Sequence, residues 1–509
     1  MAIIGSVIKR SFEIRESLPK IRKRDGYKQQ TKTLRKLMTK AEFTAFGEHY
    51  NFSKILGEED LITAFQKAVK THDYSSMYKE WWYRTRDGEA NICWPGKIKY
   101  FALSSGTSDS SSKYIPVTND MLKVIRKVIL RQMISFVHLG FPKEHFEKKA
   151  LVVGGSTDLK YNGIYYEGDL SGITTSTVPF YVQGYSKPSL QIRSVKDWEE
   201  KIQEIANNAR EWDIGIVCGV PAWIQILFEK IIKQYNVENI HDIWPNLNVF
   251  IHGGVSFAPY KKGFEKLLGR PIAYMDTYLA SEGYVAFQTR QDTEAMKMML
   301  DNGLFYEFVP FTPENFDEDG NIVKNPQTLH IDRVKEGVEY ALLISTCSGA
   351  WRYMIGDVIK FTSVENHEII IVGRTKHFLS LCGEHLSQDN MNKAIELVSA
   401  ELKIEVKEFT VAGISYDTMF AHHWFIGTDD AVDPKLLKIR IDETLKGLND
   451  DYKVERVSAL RDVLVDVYPV KTFYDFMKTK GKVGSQYKFP RVLKKNQLLE
   501  WESYLKINK

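Results

Sequence analysis

The middle of the chain alternates between short apolar segments and amphipathic stretches, and this alternation is the strongest constraint on its fold. The segments "KALVVGGS", "DIGIVCGVP" and "LNVFIHGG" are apolar runs of strand length that end in small or turn-forming residues. Between the first two lies "SVKDWEEKIQEIANNAREW", which has helical periodicity, with Ser194 and Asp197 at capping-box spacing. Strands that alternate with helices in this way predict an α/β fold.

A smaller unit with its own pattern of helical and strand-like segments follows Arg374. The segments "MNKAIELVSAEL" and "PKLLKIRIDETLKGLND" have helical periodicity, while "KEFTVAGISY" and "HHWFIGT" have the character of strands. We therefore predict a large N-terminal domain with mixed sheets and helices over residues 1–375, and a small, mobile C-terminal α+β domain over residues 376–509. The connection "GRTKHFLSLCGEHLS" is a candidate hinge, because Gly373 and Gly383 bracket it.

The composition predicts a globular cytoplasmic protein. Of its 509 residues, 43% are hydrophobic and 26% are charged. The 69 basic and 65 acidic residues give a net charge of +4, a balance that does not indicate nucleic acid or an anionic membrane as a partner. The four cysteines are far apart, unlike those of a zinc module or a disulfide framework. No apolar run approaches the roughly 20 residues needed to span a bilayer.

A loop rich in serine and threonine, "SSGTSDSSSKYIPVT", is the first candidate for phosphate binding. Small residues allow the backbone to curl round an anion, and hydroxyls and a lysine supply hydrogen-bond donors. The candidate ligands are Ser105, Gly106, Thr107, Ser108 and Lys113. The stretch does not fit the P-loop formula, because Gly106 has no second glycine before Lys113. Taken alone, it fits an ordinary polar surface loop equally well.

Three further segments contain candidate nucleotide ligands. "MDTYLASEGYVAF" offers the ring of Tyr278, the hydroxyl of Ser281 and the carboxylate of Glu282, a candidate magnesium ligand. "WRYMIGDVIKF" places Asp357 after a glycine, where its carboxylate could accept hydrogen bonds from ribose hydroxyls, and "IIIVGRTK" contains Arg374. Each segment also fits a simpler interpretation: a turn with a solvated glutamate, a turn aspartate and a surface arginine.

The order of these four segments resembles that of the acyl-adenylate-forming superfamily. The details resemble one branch, the acyl acid–amido synthetases, an auxin-responsive, hormone-conjugating family with bacterial relatives. Its first motif, S-S-G-T-S, matches residues 104–108, and its third, of the Y-R-x-G-D type, is echoed by Arg352, Tyr353, Gly356 and Asp357. The stretches "GVPAWIQILFEK", "WPNLNVFIHGGVSFAPY" and "GKVGSQYKFPRV" are also similar, so that the resemblance extends over most of the chain.

Two positions depart from the pattern of this family. Ser110 stands where the first motif usually has a second glycine. Met354 stands where the third motif usually has an arginine, although Arg352 lies nearby. Both departures affect segments that are predicted to contact the nucleotide.

The resemblance implies an ATP-dependent ligase with two half-reactions. The carboxylate of a small acid attacks the α-phosphorus of ATP, pyrophosphate leaves, and the amine of an amino acid then attacks the acyl-adenylate and releases AMP. ATP and Mg²⁺ are the implied cofactors, with magnesium on Glu282 and the phosphates on the Ser/Thr-rich loop. Adenosine is expected near Gly253, Gly254, Tyr278 and Asp357, and Arg374 is expected to contact ribose or phosphate.

The resemblance also indicates a catalytic cation and an acyl pocket. A lysine of the small domain would stabilise the charge that develops on the α-phosphate; Lys488 is the candidate, with Lys494 and Lys495 as rivals. Trp223 in "GVPAW" and Tyr165 in "YYEGDLSGI" are candidates for lining the acyl pocket, although both also fit core positions.

Two other functions stay open. The first is an adenylate-forming ligase whose acceptor is a thiol, either coenzyme A or a carrier protein, and the family-like C-terminal stretches weigh against it. The second is a nucleotide-binding protein that no longer catalyses, which Ser110 and Met354 favour.

Overall fold

The computed structural model of the protein contains two compact units: the described residues of 1–104 and 114–375 form the first, and the described residues of 105–113 and 376–509 form the second. The mobility of the second unit stays a prediction. The structure describes residues 10, 25–105, 112–141, 143–178, 183–254, 257–317, 320–375, 378–384, 386–480 and 489–507. Within these ranges, no helix is long and apolar enough to cross a membrane.

Short helices form the N-terminal part of the first unit. The helix Gly26–Ala41 begins after Asp25, whose carboxylate accepts a hydrogen bond from the backbone N–H of Tyr27. Its buried face has the three- and four-residue spacing of an amphipathic helix, and includes Leu34, Leu37, Met38 and Ala41. The next helices are Ala45–His49, Phe52–Leu56, Leu61–Ala68, Tyr74–Met77 and Tyr83–Arg86, with a π-helical turn at Tyr78–Trp82.

Two sheets follow these helices in the first unit. Their strands are β1 (Tyr100–Ser105), β2 (Ser112–Val117), β3 (Lys149–Val152), β4 (Lys160–Tyr161), β5 (Tyr166–Gly168), β6 (Ser186–Lys187), β7 (Ile214–Cys218), β8 (Val249–Gly253), β9 (Ala273–Ala280), β10 (Gly283–Phe287), β11 (Met296–Met298), β12 (Leu304–Pro310), β13 (Glu339–Thr346), β14 (Tyr353–Ser363) and β15 (Glu368–Arg374). The smaller sheet has the order β2-β1-β5-β4.

The larger sheet has eleven strands in the described chain and is half parallel and half antiparallel. Strands β6-β3-β7-β8-β9 run parallel, and the sheet continues through β10-β11-β15-β14-β13-β12 in antiparallel pairs. The carboxyl ends of the five parallel strands therefore meet at one edge, as the strand–helix alternation predicts.

Helices connect and cover the strands of the first unit. They are Asn119–Ser135, Leu170–Ser176, Leu190–Ser194, Trp198–Asn207, Pro221–Tyr235 and Ala258–Glu265. The helix predicted after "SVKD" begins at Trp198, because the carboxylate of Asp197 accepts from the N–H of Glu200 and caps it. Ser194 is the last residue of the preceding short helix and is not the cap.

A buried ion pair joins the N-terminal helices to the large sheet. Arg352 and Glu307 are 5% and 1% exposed, and Nη2 of Arg352 lies 3.0 Å from Oε1 of Glu307. Nη1 of the same arginine donates to the carbonyls of Gln66 and Val69 in the helical region. The arginine of the third motif is therefore held by structural contacts, which compensate for the cost of burying its charge.

The second unit is a small α+β fold, as predicted. Its strands are β16 (Phe378–Leu379), β17 (Leu386–Ser387), β18 (Glu408–Tyr416), β19 (Met419–Gly427), β20 (Leu460–Tyr468) and β21 (Val492–Leu493), and its main sheet has the order β20-β19-β18-β21. Its helices are Gln388–Leu402, Pro434–Leu448, Asp450–Val457, Val470–Thr479 and Lys495–Ile507. Trp501 of the last helix is fully buried among Phe473, Phe476 and Phe489.

The adjacent histidines of β19 face opposite sides of the sheet, as alternation along a strand requires. Nε2 of His422 lies 2.8 Å from Oε1 of Glu384, and both side chains are fully buried. His423 instead contacts the half-exposed carboxylate of Asp466. Burial opposes the ionisation of Glu384, but the hydrogen bonds from His422 and from the backbone N–H groups of Cys382 and Leu381 outweigh it and lower the pKa of Glu384 to about 2.

We expect the second unit to become less stable as the pH is lowered, because of Glu384. A carboxyl whose pKa is lower in the folded state contributes stability above its unfolded pKa and loses it as the pH falls toward the folded value. The fall should therefore lie between about pH 4.5 and pH 2. Glu384→Gln should destabilise the unit by about 3 kcal/mol at pH 7 and flatten this dependence.

Hydrogen exchange of peptides from β19 in the full chain measures this effect locally. The matched control is Asp466→Asn, which changes a half-exposed carboxylate beside the other histidine and should have little effect. Equal exchange rates in Glu384→Gln and the parent protein at pH 7 would contradict the assignment.

Candidate functional site

The candidate site lies where the parallel half of the large sheet ends, and a tyrosine, an aspartate and an arginine form its centre. The hydroxyl of Tyr278 in β9 donates to Oδ2 of Asp357 in β14 at 2.5 Å. Nε of Arg374, the last residue of β15, lies 3.1 Å from Oδ1 of the same carboxylate. The structure thus brings together residues from three of the four segments that the sequence analysis singled out.

The register of the strands explains this contact. Asp357 and Arg374 are direct partners in the antiparallel pairing of β14 with β15. Nη2 of Arg374 also donates to the carbonyl of Ile355, and a Cβ at Gly356 would lie only 3.3 Å from that nitrogen. Gly356 has φ +93°, a backbone conformation that glycine adopts without strain. The glycine of the Gly-Asp motif therefore makes room for the arginine.

Burial and charge stabilise one set of protonation states in this cluster. Burial, together with the negative charge of Asp357, raises the pKa of Tyr278 well above its usual value. Burial by itself would lower the pKa of Arg374, but the charge of Asp357 outweighs it and raises the pKa. Tyr278 is therefore a neutral donor at physiological pH, and Arg374 is a cation.

Glu282 belongs to the same group of interacting side chains. It follows β9 in a tight turn and is only 8% exposed. Its carboxylate is hydrogen-bonded to the hydroxyl of Tyr353, and burial together with the charge of Glu282 raises the pKa of that tyrosine well above its usual value. The charge of Glu282 also acts on Tyr278 and Arg374. Ser281 precedes it in the turn with a half-buried side chain.

The arrangement is compatible with magnesium that is held jointly by protein and substrate. Among the residues that the structure describes, no group of three or more His, Cys, Asp or Glu side chains could hold a metal ion. Mg²⁺ is commonly bound by one or two carboxylates together with substrate phosphates and water. A single buried carboxylate such as Glu282 fits this pattern. The described residues do not offer a metal site built from protein ligands alone.

Two glycines at the end of β8 allow close packing of this strand against β9. Gly253 pairs with Thr277, and a Cβ at Gly253 would lie 2.4 Å from the Thr277 hydroxyl and 2.5 Å from its carbonyl oxygen. Gly254 has φ +84°, in the left-handed region. A side chain at Gly253 would push β8 away from β9, the strand that contains Tyr278.

The remaining predicted ligands lie in different places. Gly106, Thr107, Ser108 and Lys488 lie outside the described residues, and so does Ser110. Ser105 ends β1, and Lys113 lies in β2 with a half-buried side chain. The rivals of Lys488, Lys494 and Lys495, are exposed.

The two residues proposed for the acyl pocket have contacts of their own. Tyr165 is 2% exposed, packs against Phe101 with ring centroids 4.6 Å apart, and accepts a hydrogen bond from Arg86. Trp223 is half-buried in the helix Pro221–Tyr235 and packs against Trp198. Their role in an acyl pocket stays a prediction.

Sequence reasoning gave no role to three residues that contribute to this edge. Thr277 closes the space over Gly253, Tyr353 hydrogen-bonds Glu282, and Gly356 accommodates Arg374. All three lie inside the quoted motifs, but only the strand pairing shows which of their neighbours they meet. Met354 packs against the apolar cluster that contains Val309 and Leu343, so its side chain is part of the core at the position where an arginine is usual.

Comparison with known domain families covers most of the chain. Residues 21–163 and 157–272 match the GH3 family N-terminal domain, residues 297–373 match the GH3 family central domain, and residues 389–497 match the GH3 family C-terminal domain. The chain belongs to the GH3 family. This membership confirms the family predicted from the motif order.

Curated GH3 relatives carry names that describe this class. Indole-3-acetic acid-amido synthetase GH3.4 of Arabidopsis thaliana is 27% identical over 344 residues, which cover 60% of this chain and 56% of that protein. Jasmonoyl–L-amino acid synthetase JAR4 of Nicotiana attenuata is 21% identical over 453 residues, which cover 76% of each chain. The matched segment thus spans little more than half of the first relative and about three quarters of the second.

Solved structures confirm the predicted fold class of this GH3-family chain. GH3.15 acyl acid amido synthetase superposes with a TM-score of 0.56 at 16% identity, over 94% of this chain and 93% of that one. 2-Hydroxyisobutyryl-CoA ligase superposes with a TM-score of 0.59 at 11% identity, over 92% and 89%. At these identities the superpositions describe the fold alone, which amide-forming and thioester-forming enzymes share.

We expect Gly253→Ala to weaken nucleotide binding, because the new methyl group would meet the Thr277 carbonyl oxygen at 2.5 Å and displace β9. The affinity for AMP should fall about tenfold, and the protein should lose about 1–3 kcal/mol of stability. Calorimetric titration with AMP and thermal unfolding measure the two effects. The control is Gly184→Ala, at a position where a Cβ meets no atom within 4 Å. Unchanged AMP affinity in Gly253→Ala would show that nucleotide binding tolerates a shift of this edge.

Proposed function

We propose that this GH3-family protein uses ATP to activate a small carboxylic acid as an acyl-adenylate and transfers the acyl group to the amine of an amino acid. The observation that carries this proposal is the Tyr278–Asp357–Arg374 cluster beside the buried carboxylate of Glu282. It combines a ribose acceptor, a cation and a magnesium ligand at the carboxyl edge of a parallel sheet, where nucleotides commonly bind.

Asp357 has the capacity to bind ribose while it holds the cluster together. A carboxylate offers about four acceptor positions, and Tyr278 and Arg374 occupy one on each oxygen. The remaining positions are suited to the two ribose hydroxyls. Because its hydroxyl is bound to Asp357, the ring of Tyr278 has a fixed orientation, which suits it to act as a wall for adenine.

The phosphates require positive charge and donors close to Glu282. Arg374 supplies a permanent cation, and the backbone and hydroxyl groups of Ser105, Gly106, Thr107 and Ser108, with Lys113, are proposed to hold the pyrophosphate portion. Magnesium held by Glu282 would neutralise phosphate charge and polarise the phosphorus centre. Lys488 is proposed to stabilise the charge on the α-phosphate during transfer.

The substrates are proposed as classes. The curated relatives are named for indole-3-acetic acid and for jasmonoyl–amino acid products, and acids of this size, with an apolar body and one carboxylate, are the first candidates. The acceptor is proposed to be an amino acid, because the first relative is named as an amido synthetase and the second as a jasmonoyl–L-amino acid synthetase. A thiol acceptor is the second candidate, since the thioester-forming ligase shares the fold.

Carboxylate-dependent exchange of pyrophosphate into ATP tests the first half-reaction. A panel of acids that includes indole-3-acetic acid, jasmonic acid and simple aromatic and aliphatic acids should contain at least one that supports exchange. The twenty amino acids and coenzyme A are then offered with that acid. Amide formation supports the proposal, thioester formation favours the second candidate, and ATP binding without exchange for any acid would favour a protein that binds nucleotide without catalysis.

Glu282→Gln should lower the exchange rate about a hundredfold or more, because magnesium would lose its anionic protein ligand. The amide oxygen of Gln can still accept a hydrogen bond from Tyr353, so the fold should be kept. Binding of AMP without magnesium should stay within about threefold of the parent protein. Glu339→Gln is the control, because this half-exposed carboxylate pairs with Lys360.

The two measurements separate the possible roles of Glu282. An unchanged exchange rate would exclude it as a metal ligand. An equal loss of AMP binding and exchange would instead assign it to adenosine binding or to the local fold.

A further inference from the structure

A cavity with both polar and apolar lining lies in the first unit, at the carboxyl end of β3. Gly154 and Gly155, which follow β3, line it together with Thr175, Pro188, Arg193 and Lys201. The cavity is partly open to solvent. The site described above is built from β8, β9, β14 and β15, so none of its named residues lines this cavity.

Two buried cations face this cavity. Arg193 is 5% exposed and Lys201 is 4% exposed, values that are rare for these residue types. Nη2 of Arg193 donates to the hydroxyl of Ser186, while its Nε has no hydrogen-bond partner among the residues that the structure describes. Nζ of Lys201 donates to the Gly154 carbonyl at 3.3 Å, a long hydrogen bond. Both cations therefore retain donor capacity on the wall of the cavity.

The charges around the cavity are unbalanced. Asp169 is the acid that acts on Lys201, and its carboxylate lies so close to Gly155 that a Cβ there would be 2.2 Å from Oδ2. Burial lowers the pKa of Lys201 to about 8 despite this acid, and burial lowers the pKa of Arg193. The nearby Lys196 pairs with Asp158, and both are exposed. The one carboxylate therefore acts on Lys201 alone, and burying the charge of Arg193 is costly unless an anion joins it.

The local backbone is closely packed beside the cavity. Gly155 donates its N–H to the hydroxyl of Ser171, which holds the turn after β3 against the helix Leu170–Ser176. A Cβ at Gly154 would meet Ser171 at 3.0 Å, so small residues are needed at both positions. The parallel pairing of β3 with β7, and of β7 with β8, places this turn at the same edge of the sheet as Gly253.

We propose that the cavity between β3, Arg193 and Lys201 binds a small oxyanion, as a carboxylate or phosphate group. The guanidinium and ammonium groups bind the oxygens directly, and the anion supplies the charge that the protein lacks there. Two sources fit this chemistry: free phosphate, and a second acidic group at the far end of a substrate. The first source does not depend on the proposed adenylation reaction, whereas the second rests on it, and binding of either can be measured in the absence of nucleotide.

Calorimetric titration of the protein with inorganic phosphate and with glutarate tests the proposal. Glutaramide, which is uncharged, is the negative control. At least one anion should bind and glutaramide should not. Lys201→Gln and Arg193→Gln should each weaken that binding about tenfold to a hundredfold, because each removes one charged hydrogen-bond donor. Lys196→Met is the matched control, because it removes an exposed cation five positions from Lys201, and binding should be unchanged.

The outcomes distinguish the two sources. Binding of phosphate alone indicates free phosphate, and binding of glutarate alone indicates the acidic end of a substrate. Binding of neither anion, or binding that both Gln variants leave intact, would overturn the proposal. If a variant does not fold, a crystal of the parent protein soaked in phosphate provides the test: density between Arg193 and Lys201 is expected, and an anion found only elsewhere would overturn it.

Discussion

The candidate site depends on the change from parallel to antiparallel pairing within one continuous sheet. Tyr278 lies in β9, the last parallel strand, while Asp357 and Arg374 lie opposite each other on antiparallel strands of the same sheet. The hydroxyl–carboxylate contact therefore joins the two halves. Because Asp357 holds both neighbours, the geometry of the tyrosine ring and of the guanidinium depends on one carboxylate, and burial strengthens each of these contacts.

Each unit also contains a buried carboxylate with a basic partner. In the first unit, Arg352 and Glu307 join the helical region to the sheet, and in the second, Glu384 accepts from His422 and from the backbone of the segment before β17. Pairs of this kind add little net stability compared with apolar packing, but breaking one is costly because the partner remains buried. They therefore favour one arrangement of neighbouring elements over others, which specifies the fold more than it stabilises it.

The sequence predicted the fold class, the smaller α+β unit and the family, because these follow from periodicity and from the order of motifs. It also predicted that Tyr278, Glu282, Asp357 and Arg374 act together, although each segment alone fitted an ordinary turn or surface position. Strand pairing could not be predicted, and for that reason the roles of Thr277, Tyr353 and Gly356 were missed. The buried cations Arg193 and Lys201 gave no signal, because a single arginine and a single lysine in a helical pattern indicate solvent-facing positions.

The pairing of β14 with β15 has a consequence for how this chain can vary in length. Successive residues of a strand face opposite sides, so one inserted or deleted residue between Glu368 and Arg374 would turn the arginine away from Asp357. Residues 364–367 form the turn between β14 and β15 and are not part of either strand. A change in the length of this turn therefore leaves the pairing of β14 with β15 intact. Among natural variants of this protein, insertions and deletions should accumulate in that turn and be excluded from the strand.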